Sequence, residues 1–324
     1  RFLTAVATLG QGCYRLDGSP RMRERPIQDL LDALGQLGAD ARSETGNGCP
    51  PVIVRGRGLR GGRATIAGRV SSQFLTALLM ASPYADADVE LVLQGSLVSQ
   101  PYVEMTLSVM RAFGVEARKD GPSRFTVPVA QRYRARRYSI EPDATAASYF
   151  FAAAAITGGE VTVEGLARDS VQGDVAFCEC LRQMGCRIDY AADHITVTGG
   201  PLRGIDTDMN AISDTAQTLA VVSLFAEGPT TIRGIGHIRH KETDRIHALA
   251  VELHRLGAEV EERDDGLMIT PRPLHAAEIE TYRDHRMAMS LSLAGLVVPG
   301  VVIRDPACVS KTYPHFFRDL KALA

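Results

Sequence analysis

The sequence predicts an α/β fold in which repeated units form layers around buried helices. One observation is a unit of strand, Gly, polar loop, amphipathic helix and second strand, which recurs at 14–44, 89–120, 161–191 and 230–262. The other is a second kind of helix, apolar on nearly every side, that lies between these units. Strands that alternate with one exposed and one buried kind of helix favour sheets on the outside and helices packed together inside.

Two glycines mark each repeat. The first ends the opening strand, at Gly18, Gly95, Gly165 and Gly234. The second follows the last turn of the amphipathic helix, at Gly38, Gly114, Gly185 and Gly257. Because a residue without Cβ adopts the left-handed conformation that ends a helix at little steric cost, we expect that conformation at the second glycine. The last segment, 305–324, has the pattern of a fifth copy up to its helix.

The second kind of helix has Ser, Thr or Asp where it begins, and these side chains cap unpaired backbone N–H groups. The four segments are "VSSQFLTALLMAS", "PDATAASYFFAAAA", "ISDTAQTLAVVSLFA" and "YRDHRMAMSLSLAG". The first ten residues, "RFLTAVATLG", are similar to them but begin without a capping residue. We therefore expect a fifth buried helix there, entered after its first turn.

The chain of 324 residues is long enough for about two domains. The charged run "QRYRARRYSIEPD", at 131–143, is the best candidate for a linker. We therefore predict a first domain at 1–140 and a second at 141–324. The alternative for this run is an ordinary solvated strand edge.

Composition excludes several classes of function. A net charge of −2 gives no field that would attract nucleic acid or a membrane surface. The longest apolar runs are shorter than the roughly 20 residues that span a bilayer. The six cysteines form no CxxC pair, which is typical of reduced thiols in the cytoplasm. His237 and His240 are three apart, but no Cys or carboxylate completes a familiar metal pattern, so we predict no metal.

The loops that enter the helices carry cations and hydroxyl groups. The cations are Arg21, Arg23, Arg25, Lys241, Arg245, Arg283, Arg286 and Lys311, and the hydroxyls belong to Ser71, Ser72, Ser99 and Tyr102. Helix N-termini add unpaired N–H groups and a partial positive charge, and guanidinium groups match the oxygens of phosphates and carboxylates. The same polarity at five or six equivalent loops predicts an anion-binding site.

Two acidic residues stand among these cations. Asp214 opens the segment "SDTAQT", and Glu242 lies in "HKETDR". Asp214 has the position of a helix cap, and Glu242 has that of a first-turn acid that complements the helix dipole. A carboxylate among cations is also a candidate general base or acid. The residues alone leave both interpretations open.

Seven segments together resemble the 5-enolpyruvylshikimate-3-phosphate (EPSP) synthase family. They are "GSPRMRERPI", "VSSQFLTALLMASP", "LVSQPYVEMT", "ISDTAQT", "KETDRI", "YRDHRMAMS" and "DPACVSKTYPHFF", in the family's order along the whole chain. The resemblance implies a two-domain enolpyruvyl transferase fold. Each domain holds βαβαββ repeats with pseudo-threefold symmetry around buried parallel helices, and the active site lies in the cleft between the domains.

The resemblance also implies a reaction in the shikimate pathway, which leads to chorismate and the aromatic amino acids. An enolpyruvyl group passes from phosphoenolpyruvate to the 5-hydroxyl of shikimate 3-phosphate, and phosphate is released. No metal or organic cofactor takes part. We further expect a cytoplasmic monomer.

Residue roles follow from the matching motifs. The residues that match contacts to shikimate 3-phosphate are Ser71, Ser72, Gln73, Ser99, Tyr102, Asp214, His237 and Lys241, and those that match the phosphoenolpyruvate site are Arg25, Gln73, Arg245, Arg286 and Lys311. Asp214 matches the base that takes the proton of the 5-hydroxyl. Glu242 matches the acid that protonates the methylene carbon of the donor.

Three features depart from the family pattern. Some family members have Asn where this chain has His237, which leaves the ligand role of His237 open. The family places a lysine at either of two positions in "DPACVSKT", and since the first is Ala307 here, we assign the role to Lys311. The family also has an N-terminal segment, with substrate-binding residues, before the helix that matches "RFLTA".

That segment is absent from this sequence. We expect one sheet edge and one helix cap to be absent with it. The first interpretation is therefore an EPSP synthase whose sequence begins late here, as a fragment or an incomplete gene model. One alternative is a catalytically incompetent remnant that at most binds phosphorylated ligands. The other is a UDP-N-acetylglucosamine enolpyruvyl transferase, which "PRMRERP" and "KETDR" disfavour.

Overall fold

We describe the protein from a computed structural model, which covers residues 1–323. Contacts divide the chain into two compact units, Arg1–Ser139 and a second that begins at Ile140. Each unit has a hydrophobic core of its own.

The first unit alternates strands and helices around two sheets. Its helices are α1 (Phe2–Thr8), α2 (Gln28–Gln36), α3 (Ser72–Ala81) and α4 (Gln100–Ala112). Its strands are β1 (Gly12–Leu16), β2 (Asp40–Ser43), β3 (Val52–Gly56), β4 (Gly62–Ala67), β5 (Val89–Gln94), β6 (Arg118–Lys119) and β7 (Arg124–Val127). The sheet orders are β1-β3-β2, all antiparallel, and β4-β5-β7-β6, in which only β4 and β5 run parallel.

The second unit repeats this alternation. Its helices are α5 (Ala144–Thr157), α6 (Phe177–Met184), α7 (Ala216–Val222), α8 (Arg245–Arg255), α9 (His285–Ser292) and α10 (Phe316–Lys321). Its strands are β8 (Glu160–Glu164), β9 (Arg187–Tyr190), β10 (His194–Thr198), β11 (Asp206–Asp208), β12 (Thr230–Arg233), β13 (Glu259–Arg263), β14 (Gly266–Thr270), β15 (Glu278–Ile279) and β16 (Val302–Ile303). The sheet orders are β8-β10-β9, β11-β12-β14-β13 and β15-β16.

Three buried helices, α5, α7 and α9, form the centre of the second unit. Each contributes one hydroxyl to a short buried chain. The Ser148 and Thr218 hydroxyls lie 3.3 Å apart, and those of Thr218 and Ser290 are also 3.3 Å apart. Because a buried hydroxyl without a partner would cost about 1–3 kcal/mol, this row of hydrogen-bonded hydroxyl groups favours one relative placement of the three helices.

The predicted glycine conformations are confirmed. Gly38, Gly114, Gly185 and Gly257 all have positive φ, between 84° and 116°. The predicted caps are confirmed at Ser71, Asp143 and Asp284, each of which accepts a hydrogen bond from a backbone N–H of the first turn.

Two expectations about the buried helices are wrong. At "ISDT" a 3₁₀ turn, Asn210–Thr215, precedes α7, and no side chain caps α7. The reason is that the Asp214 carboxylate pairs with cations instead. The helix α1 is buried only where it packs against α3 and β3, while Phe2, Leu3 and Val6 on its other side are exposed.

The entry loops contain 3₁₀ turns that the sequence pattern did not predict. They are Pro20–Glu24, Gly173–Ala176, Gly236–His240 and Pro306–Lys311. Three of them carry a cation at the C-terminal end, namely Arg25, Lys241 and Lys311. A cation at that end complements the partial negative charge of the last carbonyl groups.

Two glycines, one in the last turn of α2 and one just after the helix, should respond oppositely to alanine. Gly35 lies within the helix with open space around it, so Gly35→Ala should raise the free energy of unfolding by about 0.5–1 kcal/mol. Gly38 has φ of 87°, and a Cβ there would lie 2.8 Å from Cδ of Arg60. Gly38→Ala should therefore lower the free energy of unfolding by about 1–2 kcal/mol. Urea titration of both variants measures this, and equal effects would contradict the assigned helix end.

Candidate active site

A cluster of ionised side chains surrounds Asp214 in the second unit. Its Oδ1 accepts hydrogen bonds from Nζ of Lys241 and Nη1 of Arg245, both at 3.2 Å. Its Oδ2 accepts one from Nη2 of Arg286 at 3.0 Å. The three cations come from the loop before α8, from the start of α8 and from the start of α9. Asp214 is therefore a cation-paired carboxylate rather than a helix cap.

Arg245 lies at the centre of the cluster and is only 1 % exposed. Its Nε donates to Oδ2 of Asp284 at 2.7 Å and its Nη2 donates to Oδ1 at 3.2 Å, in a two-point pair with a fully buried carboxylate. The same Nη2 donates to Oε2 of Glu242 at 2.9 Å. Three carboxylates thus surround one guanidinium, which compensates the cost of burying its charge.

Glu242 is held between two cations. Besides Arg245, it pairs through Oε1 with Nζ of Lys311. Because α8 begins only at Arg245, with Asp244 as its N-cap, Glu242 precedes the helix and is not a first-turn acid. Arg245 contacts Glu242 and Asp214 through its two terminal nitrogens, so one guanidinium sets the separation of the two acidic groups.

Electrostatics keeps Asp214 and Arg245 ionised. Burial raises the pKa of Asp214, but Arg286, Lys241 and Arg245 together lower it further, and the net pKa lies well below its usual value. Burial lowers the pKa of Lys241, and Asp214 opposes that shift. Burial also acts to lower the pKa of Arg245, but its carboxylate partners raise it on balance. In this state Asp214 is a weak base.

Two histidines beside the cluster are neutral at pH 7. Burial, with Lys241 as a further cause, lowers the pKa of His237 to about 4, and its Nε2 lies 2.8 Å from the Ser213 hydroxyl. Burial and Arg286 lower the pKa of His285 to about 4 as well. The cluster therefore owes its positive charge to lysine and arginine.

In the first unit, the start of α3 presents predicted residues together. Ser71 caps α3, and Nη1 of Arg1 donates to the Ser71 hydroxyl and to Oε1 of Gln73, both at 3.0 Å. Nη2 of Arg1 donates to the carbonyl of Pro26 at 3.2 Å, next to Arg25.

Ser99 and Tyr102 begin α4 on a neighbouring loop. The N–H of Val98 donates to the carbonyl of Gly68 at 3.1 Å, so the loops that lead to Ser71 and Ser99 run side by side. Ser99 is buried and has φ of 54°, a left-handed conformation that costs a residue with Cβ about 1–2 kcal/mol. Such strain is found most often at ligand-binding positions.

The predicted residues therefore fall into two groups, one in each unit. The first unit holds Arg25, Ser71, Ser72, Gln73, Ser99 and Tyr102, and the second holds Asp214, His237, Lys241, Glu242, Arg245, Arg286 and Lys311. Sequence reasoning missed Asp284 as a partner of these groups. Asp284 stands in the quoted segment "YRDHR", but its pairing with Arg245, 39 residues away, is a tertiary contact that no local pattern encodes.

Residues 1–323 contain no group of three or more His, Cys, Asp or Glu side chains that could hold a metal ion. Within the same residues, no helix is long and apolar enough to cross a bilayer.

A family model described as EPSP synthase (3-phosphoshikimate 1-carboxyvinyltransferase) matches residues 1–320. The chain belongs to the EPSP synthase family. It is 51 % identical over 318 residues to a protein of Nostoc punctiforme named 3-phosphoshikimate 1-carboxyvinyltransferase, covering 98 % of this chain and 75 % of the relative. A Shewanella loihica protein of the same name is 49 % identical over 326 residues. The match covers 100 % of this chain and 76 % of that relative. Membership of the EPSP synthase family makes the chain an enzyme of the transferase class.

A solved structure of EPSP synthase from Acinetobacter baumannii is similar to the chain in fold. The TM-score is 0.79 at 24 % sequence identity, and the match covers 99 % of this chain and 76 % of that one. The predicted α/β enolpyruvyl transferase fold is thereby confirmed.

Neutral His285 should make the EPSP synthase chain less stable in acid. Its folded pKa of about 4 lies below the unfolded value of 6.5, so only the unfolded state gains a proton as the pH falls between these values. This stabilisation is complete above pH 6.5 and is lost toward pH 4. His285 accounts for about 2 kcal/mol of the loss in unfolding free energy between pH 7 and pH 5.

Urea titrations at the two pH values measure this loss. In His285→Gln it should be smaller than in the wild type by about 2 kcal/mol. Equal losses in the two proteins would contradict a buried, neutral His285.

Proposed function

We propose that this chain catalyses the 3-phosphoshikimate 1-carboxyvinyltransferase reaction in the shikimate pathway. Phosphoenolpyruvate is the donor and shikimate 3-phosphate is the acceptor. The observation that carries the proposal is the excess of cations at the Asp214 cluster. Four cations, Lys241, Arg245, Arg286 and Lys311, stand against three carboxylates, Asp214, Glu242 and Asp284. Substrates that carry phosphate and carboxylate groups complement this charge.

Proton transfer is assigned to Asp214 and Glu242, each of which accepts a hydrogen bond from Arg245. Asp214 takes the proton of the 5-hydroxyl as its oxygen bonds to C2 of the donor. Glu242 donates a proton to C3, because C2 becomes strongly electrophilic only as C3 gains that proton. Glu242, now a carboxylate, then takes a proton back from C3, which restores the double bond as the bond from C2 to the phosphate oxygen breaks. The leaving phosphate receives the proton that Asp214 took from the 5-hydroxyl. Atoms and charge balance over the two steps.

Substrate binding and base strength are coupled in this proposal. In the free cluster, three cations depress the pKa of Asp214. When substrate oxygens take over contacts to Lys241 and Arg286, the positive charge at Asp214 is partly neutralised and its pKa rises. A pKa nearer the working pH makes Asp214 a better base at the moment when substrate is present.

The remaining site residues have binding roles. Arg25, Gln73, Arg245, Arg286 and Lys311 hold phosphoenolpyruvate, and Ser71, Ser72, Gln73, Ser99, Tyr102, His237 and Lys241 hold shikimate 3-phosphate together with Asp214. Support comes from the hydroxyls at the starts of α3 and α4 and from the 52 % exposure of the Lys311 side chain, which allows it to reach a ligand. Arg1, which donates to Ser71 and Gln73, belongs with this group.

We also propose that the domains are 1–140 and 141–324 and that the enzyme works in the cytoplasm. The division of contacts into units that end at Ser139 and begin at Ile140 supports these domain bounds. Six cysteines without a disulfide support the cytoplasmic location.

The direct test is release of inorganic phosphate from phosphoenolpyruvate and shikimate 3-phosphate. It is run on this chain and on a chimera that carries the N-terminal segment of the Nostoc punctiforme relative. We expect the chimera to release phosphate only when both substrates are present. Binding of phosphoenolpyruvate without release by the chimera would support the remnant and overturn the proposal.

Asp214→Asn separates base chemistry from binding in that chimera. The amide keeps the shape but loses the charge, so turnover should fall by about 100- to 10,000-fold. The KM for phosphoenolpyruvate should stay level or fall, because an anionic competitor for the cations has been removed. Asp206→Asn is the matched control, since Asp206 pairs with Arg233 at an exposed position. Turnover of Asp214→Asn within about twofold of this control would contradict the base role.

A further inference from the structure

A second buried carboxylate, Glu252, lies outside the cluster and has no part in the reaction described above. It is fully buried on α8. Because it follows Arg245 by seven residues, two helical turns, both side chains project from the same face of α8. Its Oε1 accepts a hydrogen bond from the Tyr282 hydroxyl at 2.8 Å, and its Oε2 accepts one from the N–H of Glu280 at 3.1 Å.

The segment that Glu252 contacts has an unfavourable backbone conformation. Tyr282 and Arg283 are consecutive residues with φ of 54° and 56°. Each such residue with a Cβ costs about 1–2 kcal/mol, so the loop keeps this shape only where other contacts compensate. Burial and the hydrogen bond to Glu252 raise the pKa of Tyr282, which keeps its hydroxyl protonated as a donor.

The same loop delivers two residues to the cluster. The N–H of Asp284 donates to the carbonyl of Thr281 at 2.8 Å, which closes the turn. Asp284 then pairs with Arg245 and accepts from the N–H of Arg286 at 2.9 Å, at the start of α9. Thus α8 contacts both ends of the loop, through Glu252 at residues 280–282 and through Arg245 at Asp284.

We propose that Glu252 and Tyr282 are positioning residues for the enolpyruvyl transfer reaction. Their hydrogen bond maintains the left-handed turn that places Asp284 against Arg245 and Arg286 against Asp214. This inference rests on the proposed function, in which Arg245 and Arg286 hold the donor. Neither Glu252 nor Tyr282 needs to contact substrate for this effect.

Three variants and one control separate the contributions. Tyr282→Phe removes the hydroxyl, and Glu252→Ala removes both acceptors. Glu252→Gln retains both contacts but reverses one, since the amide oxygen can accept from the N–H of Glu280 while the NH₂ group donates to the Tyr282 oxygen. Tyr133→Phe is the matched control, because the Tyr133 hydroxyl makes a similar partly buried hydrogen bond in the first unit, to the carbonyl of Met80.

Hydrogen exchange in the chain without substrate is the first measurement. The amides of Asp284 and Arg286 should exchange about tenfold faster in Tyr282→Phe and Glu252→Ala than in the wild type, as expected for loss of a hydrogen bond to a charged group. Glu252→Gln and Tyr133→Phe should exchange as the wild type does. Unchanged exchange at these amides in Glu252→Ala would overturn the proposal.

Steady-state kinetics of the chimera is the second measurement. Tyr282→Phe and Glu252→Ala should raise the KM for phosphoenolpyruvate about tenfold and leave that for shikimate 3-phosphate within about twofold, with recovery in Glu252→Gln. A lower melting temperature with unchanged KM values would mean a structural role only and would overturn the proposal.

Arg286→Ala distinguishes a failure of the positioning role from a failure of the assigned donor site. If Arg286→Ala raises the KM for phosphoenolpyruvate and Tyr282→Phe does not, the positioning role fails and the donor site stands. If Arg286→Ala also leaves that KM unchanged, the assigned donor site is wrong.

Discussion

The burial of the Arg245 guanidinium is the constraint on which the rest of the site depends. A guanidinium remains charged at any pH that a folded protein tolerates, so it can be buried only with anions against it. Asp284 meets it with two hydrogen bonds, and Asp214 and Glu242 each add one. These carboxylates come from three different segments of the second unit. Arg245 therefore fixes where those segments can lie relative to α8.

This arrangement explains why chemistry and stability are coupled in the second unit. The two acids assigned to proton transfer are held by neighbouring nitrogens of one rigid, planar group, which limits their freedom without any contact between them. Lys241, Arg286 and Lys311 then supply positive charge beyond what the carboxylates neutralise. The same residues that compensate a buried charge thus leave the cluster ready for an anionic ligand.

The sequence predicted the parts of the fold that depend on local chemistry. Glycines after the amphipathic helices, Ser and Asp caps, and cations in the entry loops are all short-range signals, and the structure has them at Gly38, Ser71 and Lys241. Motif resemblance supplied the family and the candidate residues. The local signals and the family were recognised because the residues of each pattern are close together in the chain.

The sequence could not predict which partner each ionised group selects. Asp214 fits a helix cap equally well from its position, and only the approach of three cations from distant segments excludes that role. The contact of Glu252 with Tyr282 spans 30 residues and depends on a left-handed turn at non-glycine residues, for which no sequence signal exists. The exposed side of α1 was missed because periodicity reports apolar faces and not what covers them.

The central claim is that Arg245 and Asp284 act as one buried unit, and a double-mutant cycle tests it most directly. Free energies of unfolding are measured for the wild type, Arg245→Met, Asp284→Asn and the double variant. Each single variant should lose about 3 kcal/mol, because it leaves a buried charge without its partner. The double variant should lose no more than either single one, which gives a coupling energy of about 3 kcal/mol. Additive losses would contradict the account.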